Sequence, residues 1–600
     1  MNKRPSTTRE ATPATVADYV SAFKQGLSEH TADTANVRIA VLTSFTVKGI
    51  KEILSVQCWR AGMTPDIYLG EYNQYSQEIA NEKSGLYAHA PDVVILFIDA
   101  RTLLGDYAFD PYAMTDDERR AWVEEQVKRF CLLIGTLKQR LPAKIIFHNL
   151  EVPTYSPLGI SEQTRPFGYI ESIETLNSRL RDAYKTDTRV RMFDYNAFAS
   201  SVGKSRMVDH TMYYLADMRV ALQLLPLLCE AYMGYIKPAM SATKKCIVLD
   251  LDNTLWGGVI GEDGMAGIRL GPTPEGRSFW EFQKALLALQ RRGVILAVNS
   301  KNNAAEAMGV IRQHPYMVLQ EEHFAAFQIN WDDKATNMRR LADELNIGID
   351  SFVFFDDDAA QRELVRQALP EISVVSVPDD ASLYVTTLRE IHDFHAFQIT
   401  EEDAQKGRMY SEQRKRNELQ KNTLNMDDYL KQLRINVELL RADSFTIPRI
   451  VQLTQKTNQF NLTTRRYTEE DIRAFLNRGA LVVAIRVTDM FGDNGITGVA
   501  IVETGSDLWR IDTFLLSCRI IGRKVEEALL GYILDTAKQA GIRRVVGEFL
   551  PTPKNAPSEN FYRQNNFELR GTRDDMQLWE YDTQKPYQYP AYIHAIFPDV

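Results

Sequence analysis

The sequence has few cysteines and pairs none of them. Five occur in 600 residues, Cys58, Cys131, Cys229, Cys246 and Cys518, and no two make a C-x-x-C motif. A zinc ribbon or a disulfide framework is therefore not expected. Long apolar runs are also missing. No uninterrupted stretch reaches about 18 residues, so no membrane span is expected. The opening MNKRPSTTREATPATVADYV lacks the apolar core of a signal peptide. A cationic excess is absent too, with 70 Lys plus Arg against 79 Asp plus Glu and a formal charge of -9. A general nucleic-acid binder would carry a basic surplus on its binding domain. There is no internal repeat. These absences point to a cytoplasmic protein with neither membrane nor nucleic acid as partner.

What is present is ample apolar material, 44% of residues, beside 25% charged ones. A chain of this length exceeds one core, and about three domains are expected. Residues 1–35 read as a polar N-terminal extension with a short helix (ADYVSAFKQGL). From VRIAVLTSF (37–45) through DVVILFID (92–99) and AKIIFHNL (143–150), apolar strands alternate with helical stretches such as 116–141. That alternation predicts a parallel α/β sheet over 36–236. A second α/β domain, 240–400, has strands at CIVLDLD (246–252), VILAVNS (294–300), FVFFDDD (352–358) and ISVVSVP (372–378). The charged segment 401–425 reads as a linker helix. The last domain, 426–600, predicts an antiparallel meander from LVVAIRV (481–487), a turn at FGDNG (491–495), ITGVAIVE (496–503) and LWRIDTFLL (508–516). A helix (522–541) and the strand RRVVGEFL follow.

The second domain carries the chemistry. Asp250-Leu251-Asp252-Asn253-Thr254 ends an apolar strand, where parallel α/β sheets bind ligands. Alternation places Asp250 and Asp252 on one side as the strand enters its loop. Two carboxylates that close call for a hard divalent cation, which takes oxygen ligands. Asp356-Asp357-Asp358 ends another strand, Ser300 a third, and Lys334 opens a helix. Phosphoryl transfer needs this set: one carboxylate to attack phosphorus, a second to handle protons, and a metal, a lysine and a hydroxyl to hold the oxygens. Singly each feature is ordinary; an isolated D-x-D is most often a turn. The order acid, hydroxyl, lysine, acid, all at strand ends or just beyond, is what argues for a site.

Asp250-x-Asp252-x-Thr254, Ser300, Lys334 and Asp356-Asp357 resemble, in order, the four motifs of the haloacid dehalogenase (HAD) superfamily. The resemblance implies that Asp250 is the nucleophile and Asp252 the general acid/base. It implies phosphate contacts from Thr254, Ser300 and Lys334, and a Mg²⁺ site on Asp250, Asp252 (through its backbone carbonyl), Asp356 and Asp357. About 45 residues separate Asp252 from Ser300 and about 30 separate Ser300 from Lys334. Neither gap fits a large cap domain, so an open site is expected, suiting a substrate carried on another protein. The longer run DLDNTLWGGVIGEDG (250–264), with NQFNLTTRRYT, DMFGDNGITGVA and LLSCRIIGR, resembles the FkbH-like branch (HAD subfamily IIIC). Asp358 stands where that branch has Asn. The branch implies a glyceryl transferase and phosphatase. It takes 1,3-bisphosphoglycerate, forms an enzyme thioester, and loads glyceryl onto the phosphopantetheine arm of an acyl carrier protein for polyketide-type biosynthesis.

The last domain resembles the GNAT acyltransferase fold, with Arg519, Gly522 and Arg523 in its anion-binding loop. Lys524 and Asn566 stand where Gly or Ala, and Gly, are usual, and a carrier-protein pantetheine arm is expected in preference to acetyl-CoA. Cys518, before a helix N-terminus and beside Arg519, is the thioester candidate; a lone Cys after an apolar strand is otherwise most often inert core. Arg465 and Arg466 are candidates for substrate anion contacts. Segment 519–544 holds six basic residues against three acidic ones, a face for an acidic carrier or simply a solvated one. The first domain resembles, faintly, the SGNH-hydrolase fold, with Ser44, Asn73, Asp209 and His210 as scattered polar candidates and docking or stabilisation the expected role. Alternative readings are a stand-alone HAD phosphatase with a non-catalytic C-terminal binding domain, a GNAT-type acyl-CoA transferase, and a carrier-protein scaffold.

Overall fold

The architecture is that of a computed structural model, which describes residues 15–27, 36–240, 243–399, 409–410, 412–416, 419–420, 423, 425–573 and 575–597. Residues up to Ala242 with His395–Gln398 form one compact unit; Thr243–Phe394 with Ile399–Val600 form a second. Among the described residues no helix is long and apolar enough to cross a membrane.

The first unit is built on an all-parallel sheet of β1 (Val37–Thr43), β2 (Pro65–Leu69), β3 (Val93–Phe97), β4 (Lys144–His148) and β5 (Val190–Phe193), in the order 2-1-3-4-5. Every residue of β3 is buried, as a strand covered on both faces by helices requires. The edge strands β2 and β5 are half-exposed and mixed in polarity, which is why they do not read as apolar runs. The helix Asp116–Arg140 starts at a capping box, with Thr115 and Glu118 satisfying each other's backbone N–H groups. The helix Val16–Gly26 has the same device in Thr15 and Asp18. The rest of the expected extension, 1–14 and 28–35, lies outside the described residues. The strand order is that of a doubly wound α/β layer and does not by itself single out the SGNH-hydrolase fold.

The second unit holds two sheets. One is parallel and Rossmann-like: β6 (Cys246–Leu249), β7 (Ile295–Ser300), β8 (Phe324–Ile329), β9 (Phe352–Phe355) and β10 (Ser373–Val374), in the order 10-9-6-7-8. Strand β8 (FAAFQI) was not among the strands expected from the sequence; its second half is only partly buried. Strand order reverses between β6 and β9, and pairing aligns Leu249 with both Phe355 and Val298. The residues that follow, Asp250, Asp356 and Asn299, therefore emerge side by side from adjacent strands roughly 4.8 Å apart.

The other sheet is mixed, of the α+β kind. It runs β17 (Glu568–Arg573), β18 (Met576–Asp582), β16 (Arg544–Phe549), β15 (Leu508–Leu516), β14 (Gly492–Thr504), β13 (Leu481–Asp489), β11 (Ile435–Arg441), β19 (Ile593–Ile596), with β12 (Phe460–Asn461) on β15. Strands β13, β14 and β15 form the expected meander, and the helix Val525–Gln539 returns the chain to β16, parallel to β15. The hairpin turn is not at Asn494-Gly495. It falls at Met490-Phe491, where Asp489 pairs with Gly492, while the GDNG stretch runs within β14 as the ladder shifts register. Gly495 takes a positive φ there and its N–H donates to the Asp493 carboxylate, so the Asn-Gly pair makes an irregularity in the strand and not its end. Of the expected linker helix 401–425, residues 409–410, 412–416 and 419–420 are helical and most of the rest lies outside the described residues.

Buried in this sheet, Asp489 accepts from Arg416 Nε and Nη2 at 2.7 and 2.8 Å and from Arg523 Nη1 at 3.0 Å. Burial works against the charged carboxylate, but the two guanidinium groups outweigh it and hold its pKa below the ordinary 3.8. Such a group stabilises the fold fully above its unfolded pKa and loses that contribution as pH falls through the folded one. Asp489→Asn is expected to lower the unfolding free energy by about 3–5 kcal/mol at pH 7 because it leaves buried cations short of a counter-charge. Denaturant titrations at pH 7 and in acid check this, and the deficit should narrow only well below pH 4.

Candidate active site

The centre of the site is Lys334. It is the first residue of the helix Lys334–Leu345, capped by Asp333, and its side chain is 98% buried. Its Nζ donates to Asp250 Oδ1 at 2.7 Å and to the Asn299 carbonyl at 2.8 Å, and lies 2.9 Å from Asp356 Oδ2. Burial alone would discharge the ammonium, yet Asp250 and Asp356 hold its pKa above the ordinary value. Carboxylate oxygens of Asp250, Asp356 and Asp357 all lie within 4.8 Å of one another. Three acids thus face one ammonium. Burial first, then repulsion from Asp250, pushes Asp357 up to about 6, and Asp356 is raised by the same two causes. Oxygen donors crowded with an excess of negative charge fit a hard divalent cation.

Asp252 is held apart from that cluster. Its Oδ1 accepts from Trp256 Nε1 at 2.8 Å and from the Ile260 N–H at 3.1 Å; its Oδ2 accepts from Asn302 Nδ2 at 2.9 Å. Burial nevertheless raises its pKa, helped by Asp250 and opposed by these donors. A carboxyl fixed in position with its proton affinity raised is suited to proton transfer. The loop that presents it turns at Asn253, whose φ of 52° suits Asn, and is closed by the Gly258 N–H donating to the Asn253 side chain at 2.8 Å.

Other expected groups fall into place differently. Thr254 is buried and its hydroxyl donates to Asp357 Oδ1 at 3.2 Å, orienting an acid. Ser300 ends β7 beside β6, and its hydroxyl has no hydrogen-bond partner among the described residues. Asp358 caps the helix Ala359–Ala368 through the Ala360 N–H, a task Asp and Asn perform equally well. Asn302, Trp256, Asn299 and Arg362 were not singled out from the sequence. Arg362 donates at 2.7 Å to the carbonyls of Asp356 and Asp357 and so fixes the acidic loop. Asn302, two residues beyond Ser300, and Trp256, inside the DLDNTLWGG run, lay close enough to the motifs to be suspected.

The C-terminal candidates are not gathered at the phosphatase-like centre. Cys518 is half-buried, 3.9 Å from the Tyr410 hydroxyl, and its carbonyl accepts from Asn346 Nδ2 at 2.7 Å. Asn346 terminates the Lys334 helix, so at 1.5 Å rise per residue the two ends stand about 18 Å apart. Arg519 is buried against Met409 and the Ser517 hydroxyl, and Arg523 is bound to Asp489 and Gln413. Arg465 is engaged by Asp512 and Glu548, and Arg466 by the carbonyls of Thr454 and Thr457. Gly522 (φ 85°), Lys524 (φ 59°) and Asn566 (φ 62°) are all left-handed. The two positions where glycine or a small residue is usual therefore demand a positive φ even here. In the first unit Ser44 bonds Asp99, Asp209 caps the helix His210–Ala216, and Asn73 and His210 are exposed; no triad forms.

Residues 38–237 match the family described as FkbH, N-terminal domain. A solved structure, the N-terminal part of a Bacteroides fragilis protein containing a phosphatase domain complexed with Mg, is similar at 27% identity with a TM-score of 0.58. The match covers 64% of this chain and 99% of that one. The resemblance to FkbH-like proteins of the HAD superfamily is borne out. An FkbH-like first unit is thus followed by a HAD-type phosphatase-like domain. Alignments also reach the ribosomal-protein-S18-alanine N-acetyltransferase of Escherichia coli (13% identity, 24% of this chain and 94% of that one, TM-score 0.20). An N-acetyltransferase of Staphylococcus aureus aligns at 14% identity over 25% of this chain and 99% of that one, also with a TM-score of 0.20. No curated protein matches the chain.

Lys334→Met should lower the unfolding free energy by about 3–5 kcal/mol, because it leaves two buried carboxylates facing each other without a cation. Combining it with Asp356→Asn should recover much of the loss. Urea denaturation of the single and double variants tests this, and strict additivity of the two effects would contradict it.

Proposed function

We propose that this FkbH-like chain is a bifunctional glyceryl transferase and phosphatase. It takes a D-glyceryl unit from 1,3-bisphosphoglycerate, removes its phosphate and loads it onto an acyl carrier protein. The observation that carries the phosphatase half is the pairing of two carboxyls in different states of constraint. Asp250 is held by Lys334 on one oxygen, and Asp252 is fixed nearby by Trp256 and Asn302 with a raised pKa.

Asp250 attacks phosphorus through its second oxygen, and the bond from phosphorus to the leaving oxygen breaks as Asp252 gives that oxygen its proton. Water then attacks the phosphorus of the aspartyl-phosphate and gives its proton to Asp252, releasing phosphate and restoring Asp250. Lys334 and the Ser300 hydroxyl hold the phosphoryl oxygens, and Thr254 keeps Asp357 in place. Asp250, Asp356, Asp357 and the Asp252 carbonyl would hold Mg²⁺, which supplies charge neutralisation of the phosphoryl group. The short stretches between motifs leave the site uncapped, as a substrate tethered to a carrier requires.

For the transferase half, we assign 240–400 as the phosphatase domain and 426–600 as the acyltransferase domain, with Cys518 carrying the thioester. Since Cys518 is tied to the far end of the Lys334 helix, an acyl group on it must be moved to reach Asp250, and a pantetheine arm is long enough to do so. A second reading is a stand-alone phosphatase whose last domain only binds. It gains support from Arg519 and Arg523, whose guanidinium groups are already committed within the protein.

Intact-protein mass spectrometry separates the readings. The enzyme is mixed with Mg²⁺, a 1,3-bisphosphoglycerate-generating system and a pantetheinylated carrier protein. The expected outcome is glyceryl on the carrier, lost in Cys518→Ala and arrested as phosphoglyceryl in Asp250→Asn. Phosphate release without any acyl adduct on either protein would leave the second reading standing.

A further inference from the structure

The first unit contains a cavity of about 170 Å³ that the proposed reaction does not use. It lies where strands β3, β4 and β5 end: Asp99 and Arg101 follow β3, Asn149 and Glu151 follow β4, and Tyr195 follows β5. Strand order reverses between β1 and β3, and Ser44 after β1 is bonded there to Asp99. Open parallel α/β sheets bind ligands outside the carboxyl ends of their strands, and this cavity lies there, on the β3–β5 side of the reversal.

Much of the polar lining is already satisfied. Asp99 accepts from the Arg101 N–H, Thr102 and Ser44. Asn149 donates to Asp194 and accepts from the Asn196 N–H. Three groups remain. Arg219 pairs with Asp217 through one nitrogen, and its guanidinium lies 4.3 Å from the centre of the Tyr213 ring. Its Nε and Nη1 are buried and have no acceptor. The Tyr195 hydroxyl has no hydrogen bond among the described residues, and the half-buried Glu151 carboxyl has only the nearby charge of Lys204 against its burial. Buried polar groups are ordinarily paired. A guanidinium with two open N–H groups suits an oxyanion, and a neighbouring carboxyl with a phenol suits a hydroxyl.

We propose that this cavity binds a small hydroxylated oxyanion, with its carboxylate or phosphate on Arg219 and a hydroxyl donating to Glu151. A cavity of about 150 Å³ accommodates a benzene, so the ligand has about six to ten non-hydrogen atoms. The site binds and does not hydrolyse: Ser44 Oγ is bonded to Asp99 in both directions, and the exposed His210 is not among its partners. This inference is independent of the phosphatase reading.

The test is calorimetric titration of the full chain carrying Asp250→Asn, which silences turnover at the other site. The probes are glycerate, glycerol 3-phosphate, acetate and glycerol. Glycerate or glycerol 3-phosphate should bind one to one, and which of them binds tighter identifies the anionic group. Acetate should bind more weakly, and glycerol should give no heat. Adding Arg219→Gln should weaken binding at least about tenfold, and Glu151→Gln should weaken the hydroxylated probes while leaving acetate unchanged. Arg219→Lys, which keeps the charge and loses the directed N–H donors, serves where the Gln variant fails to fold and should weaken binding as well. Equal affinity with and without the Arg219 substitutions, or no binding of either hydroxylated anion at 20 mM (about twentyfold above a Kd of about 1 mM), would overturn the proposal.

Discussion

One buried ammonium holds the phosphatase-like centre together. Three aspartates emerge at the carboxyl ends of β6 and β9 because the strand register brings Leu249 level with Phe355. Without Lys334 that register would set like charges against each other in a place water barely reaches. The lysine resolves this by arriving from a different element, the N-terminus of a helix, and by anchoring its third hydrogen bond on the Asn299 carbonyl of β7. Strand order, helix start and side-chain length thus meet at one atom. The remaining acidic excess is what makes the centre receptive to a cation. Burial first, and then the same excess, raise the proton affinity of Asp252 and Asp357 beside it.

Much of this arrangement was legible in the sequence. The apolar strands β1, β3, β4, β6, β7 and β9 stood out because each is buried on both faces. Their ends carried the residues that converge. What escaped was of two kinds. Edge strands such as β2 and β5 mix polar and apolar residues, so no period marks them, and β8, with two alanines and a partly exposed second half, makes only a weak apolar run. The supporting groups Asn302, Trp256 and Arg362 act through hydrogen bonds that only the folded chain reveals. The Asn494-Gly495 pair misled for a specific reason: a positive φ serves a strand irregularity as well as a hairpin turn, and sequence alone does not say which.

The C-terminal sheet departs further from its sequence reading than the phosphatase-like one. The arginines expected to face an anion are drawn inward, Arg523 to Asp489 and Arg465 to Asp512 and Glu548. Motif position could not foresee that buried acids, separated from these arginines by tens of residues, would claim their guanidinium groups. β15 and β16 stop pairing after Ile511 and Gly547, and beyond that point the segment at β12 bridges them, with Leu462 accepting from the Leu550 N–H. Backbone thus fills the gap between the two strands. The unmatched buried N–H donors of Arg219, in the other unit, are the contrasting case.

The Lys334 helix has a duty at each end. Its first residue neutralises the acids, and the residue after its last, Asn346, grips the chain at Cys518. Twelve residues make a little over three turns. Inserting one residue would swing one end by about 100° against the other and lengthen the span by about 1.5 Å. No single side chain could absorb both changes. This helix therefore works as a ruler. Among variants of the chain its length should tolerate substitution freely on the outer face but neither insertion nor deletion.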